Sequence, residues 1–161
     1  MTTNELFAAA NEKVGRELFM PDDEGVCRLM LGGDLPVTIL PFNETGELLV
    51  SARLGEEPVE GRDVFYRTLL QAMFMFGKTA GASFSIDDET GEILLARQDP
   101  LAVLDAETFV ARLKAFGALA REWRLRLLEF RPALAQALDA RAQEMEVQRH
   151  LSPEEGGFLR V

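Results

Sequence analysis

The sequence predicts an α+β protein of order α-βββ-α-ββ-α, an antiparallel sheet packed on helices, with a helical extension at its C-terminal end. Three observations carry this. Three short apolar runs succeed one another with only turn-rich separators between them, as in an antiparallel meander. Helix-period stretches precede these runs, divide them from a second pair, and come after that pair, so helices and strands are segregated. The two hairpins also share their turn chemistry: Glu44-Thr45-Gly46-Glu47-Leu48-Leu49 returns forty-five residues later as Glu89-Thr90-Gly91-Glu92-Ile93-Leu94.

Taken in order, Thr2 and Glu5 have the spacing of a capping box. Leu6, Ala10, Val14 and Leu18 recur every four residues with Phe7 beside them, which predicts an amphipathic helix to about Phe19. Pro21 and Gly25 punctuate the chain after it. The three apolar runs are Val26–Leu31, Val37–Phe42 and Leu48–Leu54, separated by GGDLP and NETGE. In the third, Leu48, Val50, Ala52 and Leu54 share one strand face, while Leu49, Ser51 and Arg53 share the other. Pro41 inside the second run predicts an edge or bulge there, with Leu40 and Phe42 on an unpaired rim. A loop of charge and proline, Gly55 to Gly61, comes next.

The stretch from Asp63 to Gly77, DVFYRTLLQAMFMFG, reads as a helix capped by Asp63 and ended by Gly77. Its polar residues Arg67, Thr68 and Gln71 form one narrow stripe, and its last turn is Met73, Phe74, Met75 and Phe76. A helix apolar nearly all round is covered on more than one side. The second cover is either another copy of the chain, making a homodimer, or a further layer of the same chain. Keeping each Phe or Met from water is worth about 1.5–3 kcal/mol, so the spare face is not left open. Two more strands, Ala82–Ile86 and Ile93–Arg97, are joined by DDETGE, with Gly46 and Gly91 supplying the positive φ of each hairpin turn. Asp105 caps a last long helix in which Phe109, Leu113, Phe116, Ala120, Trp123, Leu127 and Phe130 are spaced 4-3-4-3-4-3. Pro132 kinks or stops it. Ala133–Gln148 is helix-prone but carries only Leu134, Leu138, Met145 and Val147 as large apolar residues, and SPEEGGFLRV reads as a mobile tail. The chain thus divides into one α+β domain, 1–130, and a helical extension with its tail, 131–161.

The 161 residues suffice for one domain with a core. The net charge of −10 argues against nucleic acid or an anionic membrane as partner. Residues 1–104 hold eight Lys/Arg against eighteen Asp/Glu, whereas residues 105–161 hold nine of each, so a basic or weakly charged partner meets the first part most easily. No run of eighteen apolar residues suggests membrane insertion, and the first residues lack a signal-peptide pattern. One cysteine, Cys27, permits no intrachain disulfide, which suits the cytoplasm.

Chemistry is thin. His150 is the only histidine and reads as a surface residue; Cys27, among apolar neighbours, reads as an inert buried thiol. One His and one Cys make no zinc site, so no metal and no cofactor is expected. Gly77-Lys78-Thr79 resembles the end of a phosphate loop, but Ala72 stands where its first glycine belongs and a helix, not a strand, precedes it. Asp87 to Glu92 lacks calcium-loop spacing. No carboxylate pair is selected for acid–base work, so the chain is not read as an enzyme and no residue as catalytic. What stands out is surface: a sheet rim, a strand face and an over-apolar helix. These suit a partner segment added to a sheet edge with its side chains in apolar grooves.

The ordered set of signatures resembles the class I type III secretion chaperones, the Tir-chaperone-like family. It comprises Glu47-Leu48-Leu49-Val50-Ser51-Ala52-Arg53-Leu54-Gly55, Leu69-Leu70-Gln71-Ala72-Met73-Phe74 ending at Gly77, and Phe84-Ser85-Ile86 turning into Gly91-Glu92-Ile93-Leu94-Leu95. Leu104-Asp105 then opens the last helix, with Phe109 to Trp123 along it, and the resemblance covers roughly Asn4 to Phe130. It implies an acidic cytoplasmic homodimer that holds the N-terminal segment of a type III secreted effector protein in extended form for export. It further implies partner contacts among Leu6, Phe7, Leu29, Leu31, Ile39, Leu40, Phe42, Leu49 and Val50, and a dimer interface among Leu69, Leu70, Met73, Phe74 and Phe76. Residues 131 to 161 exceed what this fold needs. The alternative is a regulatory or structural protein-binding module on the same fold with no export role.

Overall fold

The computed structural model describes residues 2–151. The tail expected to be mobile, and the side chain of His150, lie outside the described residues. The elements are α1 (Thr3–Val14), β1 (Cys27–Leu31), β2 (Leu35–Phe42), β3 (Glu47–Glu56), α2 (Arg62–Ala72), β4 (Ser83–Ile86), β5 (Glu92–Pro100), α3 (Ala106–Leu128) and α4 (Pro132–Leu151). All strand pairs are antiparallel, in the order β1-β2-β3-β5-β4.

The capping box forms: the Thr2 N–H donates to Glu5 Oε2 at 2.7 Å, and the Glu5 N–H donates to Thr2 Oγ1 at 3.3 Å. The helix ends at Val14, earlier than its periodicity predicts, because Gly15 turns left-handed and the Asn11 side chain captures the backbone at Leu18 and Phe19. Asn11 Oδ1 accepts from the Leu18 and Phe19 N–H groups, both at 2.8 Å, and its amide donates to the Phe19 carbonyl. That hook drives Phe19 into the core beside Phe7 and Phe109.

The Pro41 portion of β2 is the local edge expected there: Leu40, Pro41 and Phe42 pair with β3 alone, while residues 35–39 pair with β1 or on both sides. β2 lies between β1 and β3, and each proline sits where it has a single neighbour: Pro36 pairs only with Met30, Pro41 only with Leu48. A ladder hydrogen bond is therefore not demanded on the second side. The edges are β1 and β4. Both hairpin turns close alike, with Thr45 donating to Glu47 at 3.3 Å and Thr90 to Glu92 at 3.4 Å.

One sheet face carries the core. Val37, Ile39, Leu48, Val50, Ala52, Leu54, Ile93 and Leu95 are buried, and α1 and α3 pack together over this face. The seam on α3 is spent there: Phe109, Leu113, Phe116, Ala120 and Trp123 are buried, while Leu127 and Phe130 are partly so. At Gly117 the helix comes so close to β1 that a Cβ would stand 2.4 Å from Leu31 Cδ2. Under α3 lies a buried acid, Asp99, only 7% exposed. It accepts from Arg97 Nε at 3.0 Å and from Arg112 at 2.6 Å, and the Arg97 guanidinium lies 5.6 Å from the Phe116 ring centre.

Two helix boundaries also differ from expectation. The N-cap of α2 is Gly61, not Asp63, and Asp63 sits within the first turn, where its charge still complements the helix dipole. Gly61 has φ +69°, and a Cβ there would meet Pro132 Cβ at 2.6 Å, so the start of α4 rests on this glycine. α2 ends at Ala72 rather than Gly77; Phe74–Phe76 form a separate 3₁₀ turn in which Met75 and Phe76 take φ +53°. Pro132 stops α3 and opens α4 as its first residue, a position that needs no N–H.

Candidate functional site

Alternation along the strands leaves the second sheet face to Arg28, Met30, Thr38, Leu40, Phe42, Leu49, Ser51, Arg53, Leu94 and Ala96. No residue of this set is buried, and Met30 and Phe42 are exposed. The registers place Leu40 opposite Leu49, and Arg53 opposite Leu94. A groove of about 540 Å³ crosses this face, bounded by Arg28, Met30, Thr38, Ser51, Arg53 and Leu94. Its two cations are paired: Arg28 with Asp22, and Arg53 Nε with Glu92 at 3.2 Å. Asp22 is held below the usual carboxylate range, first by the Val26 amide and also by Arg28. The groove is thus mixed: the facing Thr38 and Ser51 cross its middle, Met30 and Leu94 add apolar surface, and Arg28, Arg53 and Asp87 bring charge.

β1 borders this face and is paired on one side only, apart from a bridge from Cys27 to Pro21. Its remaining residues, Arg28 to Leu31, present an open edge to which an extended segment can add by main-chain hydrogen bonds. Leu29 and Leu31 point the other way from Arg28 and Met30 and lie half-buried against the core beside this edge. The β1–β2 turn is fixed from behind: Arg121 donates to Asp34 at 2.8 Å and to the Leu31 carbonyl at 2.7 Å, and Arg124 donates to the Asp34 carbonyl at 2.7 Å. The Arg121 hydrogen bond is the main cause that lowers the Asp34 carboxyl below its ordinary value.

A second apolar surface lies at the opposite edge. Leu70, Phe74, Met75, Phe76 and Ile86 are all exposed. Between α2 and β4 runs a groove of about 240 Å³ lined by Tyr66, Leu69, Leu70, Met73, Phe84 and Ile86. The Phe84 N–H donates to Met73 Sδ at 3.2 Å. Phe84 also meets Trp123 edge-on at 4.8 Å, and Trp123 Nε1 donates to the Lys78 carbonyl at 3.1 Å, which ties this edge to α3.

Against the sequence expectations, Leu40, Phe42 and Leu49 lie together on the open sheet face, and Leu29 and Leu31 beside the open edge. Leu6, Phe7, Ile39 and Val50 are corrected: each is at most 2% exposed, so they build the core rather than a surface. Leu69 is corrected likewise, being buried under α2, whereas Leu70, Phe74 and Phe76 are exposed and Met73 is half-buried. Met30, Leu94 and Ile86 are not among the sequence candidates, and Met75, named in the over-apolar turn, is not among the interface residues. Strand alternation would have found Met30 and Leu94 once Leu29 and Ile93 were set facing the core. Cys27 is buried, and that burial raises its thiol above its ordinary value. Among the described residues no His/Cys/Asp/Glu group is arranged to hold a metal, and no helix is long and apolar enough to cross a membrane.

Residues 8–124 match the model of the Tir chaperone protein (CesT) family. No curated protein matches the sequence. Among solved structures, a chain of the ExsC–ExsE complex superposes with a TM-score of 0.66 at 25% identity, covering 77% of this chain and 92% of that one. A chain of the HopA1–SchA chaperone–effector complex superposes at 0.61 and 20% identity, covering 79% and 93%. A chain of the heterodimeric ExoU–SpcU complex, from the type III secretion system of Pseudomonas aeruginosa, superposes at 0.57 and 22% identity, covering 80% and 96%.

Proposed function

The chain belongs to the Tir chaperone protein (CesT) family, and from that premise we propose that it is a type III secretion chaperone that holds the N-terminal segment of an effector in extended form for export. The observation that carries this is the uncovered sheet face, with Met30, Leu40, Phe42, Leu49 and Leu94 on it, bordered by the open edge of β1. A folded protein that leaves such a face to solvent has a use for it. An extended chain can add to β1 as a sixth strand and lay alternate apolar side chains across the face. The binding residues on this reading are Leu29, Leu31, Leu40, Phe42 and Leu49, with Met30 and Leu94 added.

The working unit is a cytoplasmic homodimer joined through Leu70, Met73, Phe74 and Phe76. It performs no catalysis and uses no cofactor; its task is binding. Residues 1–130 form the binding domain and 131–161 an appended extension, whose helix α4 (Pro132–Leu151) packs against α2.

The test is capture of an effector in a host that carries a type III system. The unmodified chain is expected to retain an effector whose N-terminal segment is protected from protease, and the pair Met30→Asp with Leu49→Asp to lose it, since two charges on the face must be buried unpaired. Undiminished capture by the double variant, or retention of no secreted protein by the unmodified chain, refutes the reading.

A further inference from the structure

The apolar seam of α3 outruns the layers that cover it. Its residues from Phe109 to Trp123 are buried, but Leu127 and Phe130 are only partly so. α4 does not fold back over them: past Pro132 each of its described side chains is exposed. Between α2 and α3 this leaves a pocket of about 160 Å³, with room for one large side chain, walled by Phe65, Trp123, Leu127 and Phe130. The walls are fixed. Phe65 meets Phe130 edge-on at 5.2 Å, and Trp123 Nε1 donates to the Lys78 carbonyl at 3.1 Å. The rim is basic: Lys78 and Arg126 line the pocket and no carboxylate does, in a chain of 27 Asp/Glu against 17 Lys/Arg. The Arg126 guanidinium lies 4.8 Å from the Trp123 ring centre and shares its charge with Glu122, one turn back and outside the pocket. Lys78 is exposed and makes no ion pair among the described residues. The sheet-face groove, by contrast, sets Asp87 beside Arg28 and Arg53.

We propose that this pocket docks an acidic segment of a second protein: one Phe or Leu side chain of the segment enters between Trp123 and Phe130, and the carboxylates beside it meet Lys78 and Arg126. Charge complementarity selects this occupant. The net charge of −10 disfavours an acidic segment on the rest of the chain, whereas the sign is reversed at this rim. A second copy of the chain fits poorly, because its exposed Phe74–Phe76 turn carries Lys78 rather than an acid beside it. The extended effector segment belongs to the other side of the sheet, since Phe65 and Trp123 are part of the core cluster that the covered face builds. A single apolar anchor in a pocket with charged contacts around it is the pattern of a small recognition site. Effector and acidic segment therefore do not compete, and the loaded chain can hold both at once.

The test titrates two acetylated hexapeptides, Glu-Asp-Phe-Leu-Asp-Glu and Lys-Lys-Phe-Leu-Lys-Lys, into the full chain. Trp123, the only tryptophan, stands in the pocket wall and reports binding there by its fluorescence. The acidic peptide is expected to shift the emission saturably at about 1 mM or below, and the basic one to bind this site about tenfold more weakly. Lys78→Glu with Arg126→Glu is expected to invert that order. Gln71→Phe fills the pocket from an exposed position and, read by calorimetry, is expected to weaken the acidic peptide about tenfold; it carries the test if the charge variant fails to fold. Effector capture is expected to stay unchanged in both variants. No saturable binding of the acidic peptide, equal binding of the two peptides, or variants that bind like the unmodified chain overturns the proposal. Peptide binding that weakens as the chain concentration rises assigns the pocket to a second copy, and displacement of the peptide by a captured effector assigns it to the effector; either result also overturns it.

Discussion

Replacing Asp99 by alanine is expected to cost about 3 kcal/mol of stability. Asp99 is 7% exposed and holds two guanidinium groups, Arg97 at 3.0 Å and Arg112 at 2.6 Å. Removing one member of a buried ion cluster costs about 3–5 kcal/mol, chiefly because the remaining charge is left buried and unpaired. The two cations are not equally stranded. The Arg112 side chain is 41% exposed and can turn to water, which limits its share to that of a surface pair, about 0–1 kcal/mol. The Arg97 side chain is 15% exposed beneath Phe116 and has no such exit, so it carries most of the loss. The expected loss therefore sits at the lower end of the range. At about 2–4 °C per kcal/mol for a chain of this size, the melting temperature falls by about 6–12 °C. Trp123, the only tryptophan and buried against Phe84, reports unfolding in urea at fixed protein concentration. Replacing Arg97 by Met in the same chain is expected to return much of the loss, because the stranded charge goes with it. A loss below about 1 kcal/mol for Asp99→Ala, or no recovery in the double variant, would refute the account of Arg97 as the buried liability.

Three further outcomes are expected. Asn11→Ala removes the hook at Leu18 and Phe19 and leaves two amide groups without their acceptor; a loss of about 2 kcal/mol is expected in urea unfolding, at about 1 kcal/mol per hydrogen bond. Gly61→Ala forces a side chain into φ +69° and against Pro132; faster amide exchange in α4 than in α3 is the expected sign, and equal exchange in both tells against that contact. Acid weakens the β1–β2 turn in a defined window. The Asp34 carboxyl is lowered in the folded chain from 3.8, chiefly by Arg121, so its stabilisation is present above that value and is lost as pH falls through the lowered one. Arg121→Gln should therefore flatten the dependence of the urea midpoint between pH 5 and pH 2, and an unchanged slope counts against the Asp34–Arg121 link.

The element order was legible because it is written in local chemistry: two Glu-Thr-Gly-Glu turns, a capping box at Thr2 and Glu5, and the period of the α3 seam. Boundaries failed where distant residues decide them. Asn11 shortens α1 by a bond pattern that no periodicity contains, and α2 starts at a left-handed Gly61 that has no room for a side chain against Pro132, seventy-one residues on, rather than at Asp63. The candidate surfaces were half legible. Alternation separates Leu49 from Val50, but only the packing of α1 and α3 says which of the two faces is covered. Leu6 and Phe7 have the same composition signal as a docking stripe, and only the aromatic contacts with Phe19 and Phe109 claim Phe7 for the core. Met75 was hidden for a different reason: its sequence prefers a helix, and the left-handed turn that exposes it is imposed by its neighbours.

The placement of charge reflects the need to stay soluble while keeping two apolar surfaces open. The net charge of −10 lies wholly within residues 1–104, which also supply the open sheet face, the β1 edge and the α2–β4 rim. Copies of the chain therefore repel one another at long range, with a reach of about 8 Å at physiological salt. On the homodimer proposed above, contact between copies has to occur where charge is absent, and the exposed Leu70, Phe74, Met75, Phe76 and Ile86 offer such a place. On the sheet face the margins are different: Arg28 and Arg53 stand at the groove, each matched by an acid, so a segment that brings its own basic residues can exchange these pairs rather than bury a lone charge. The same acidity that disfavours random association thus favours a basic extended segment over a neutral one at the β1 edge. Raising salt should weaken capture of a basic segment while leaving the apolar contact between copies intact. Salt sensitivity of the dimer greater than that of segment capture would show this assignment of the two surfaces to be reversed.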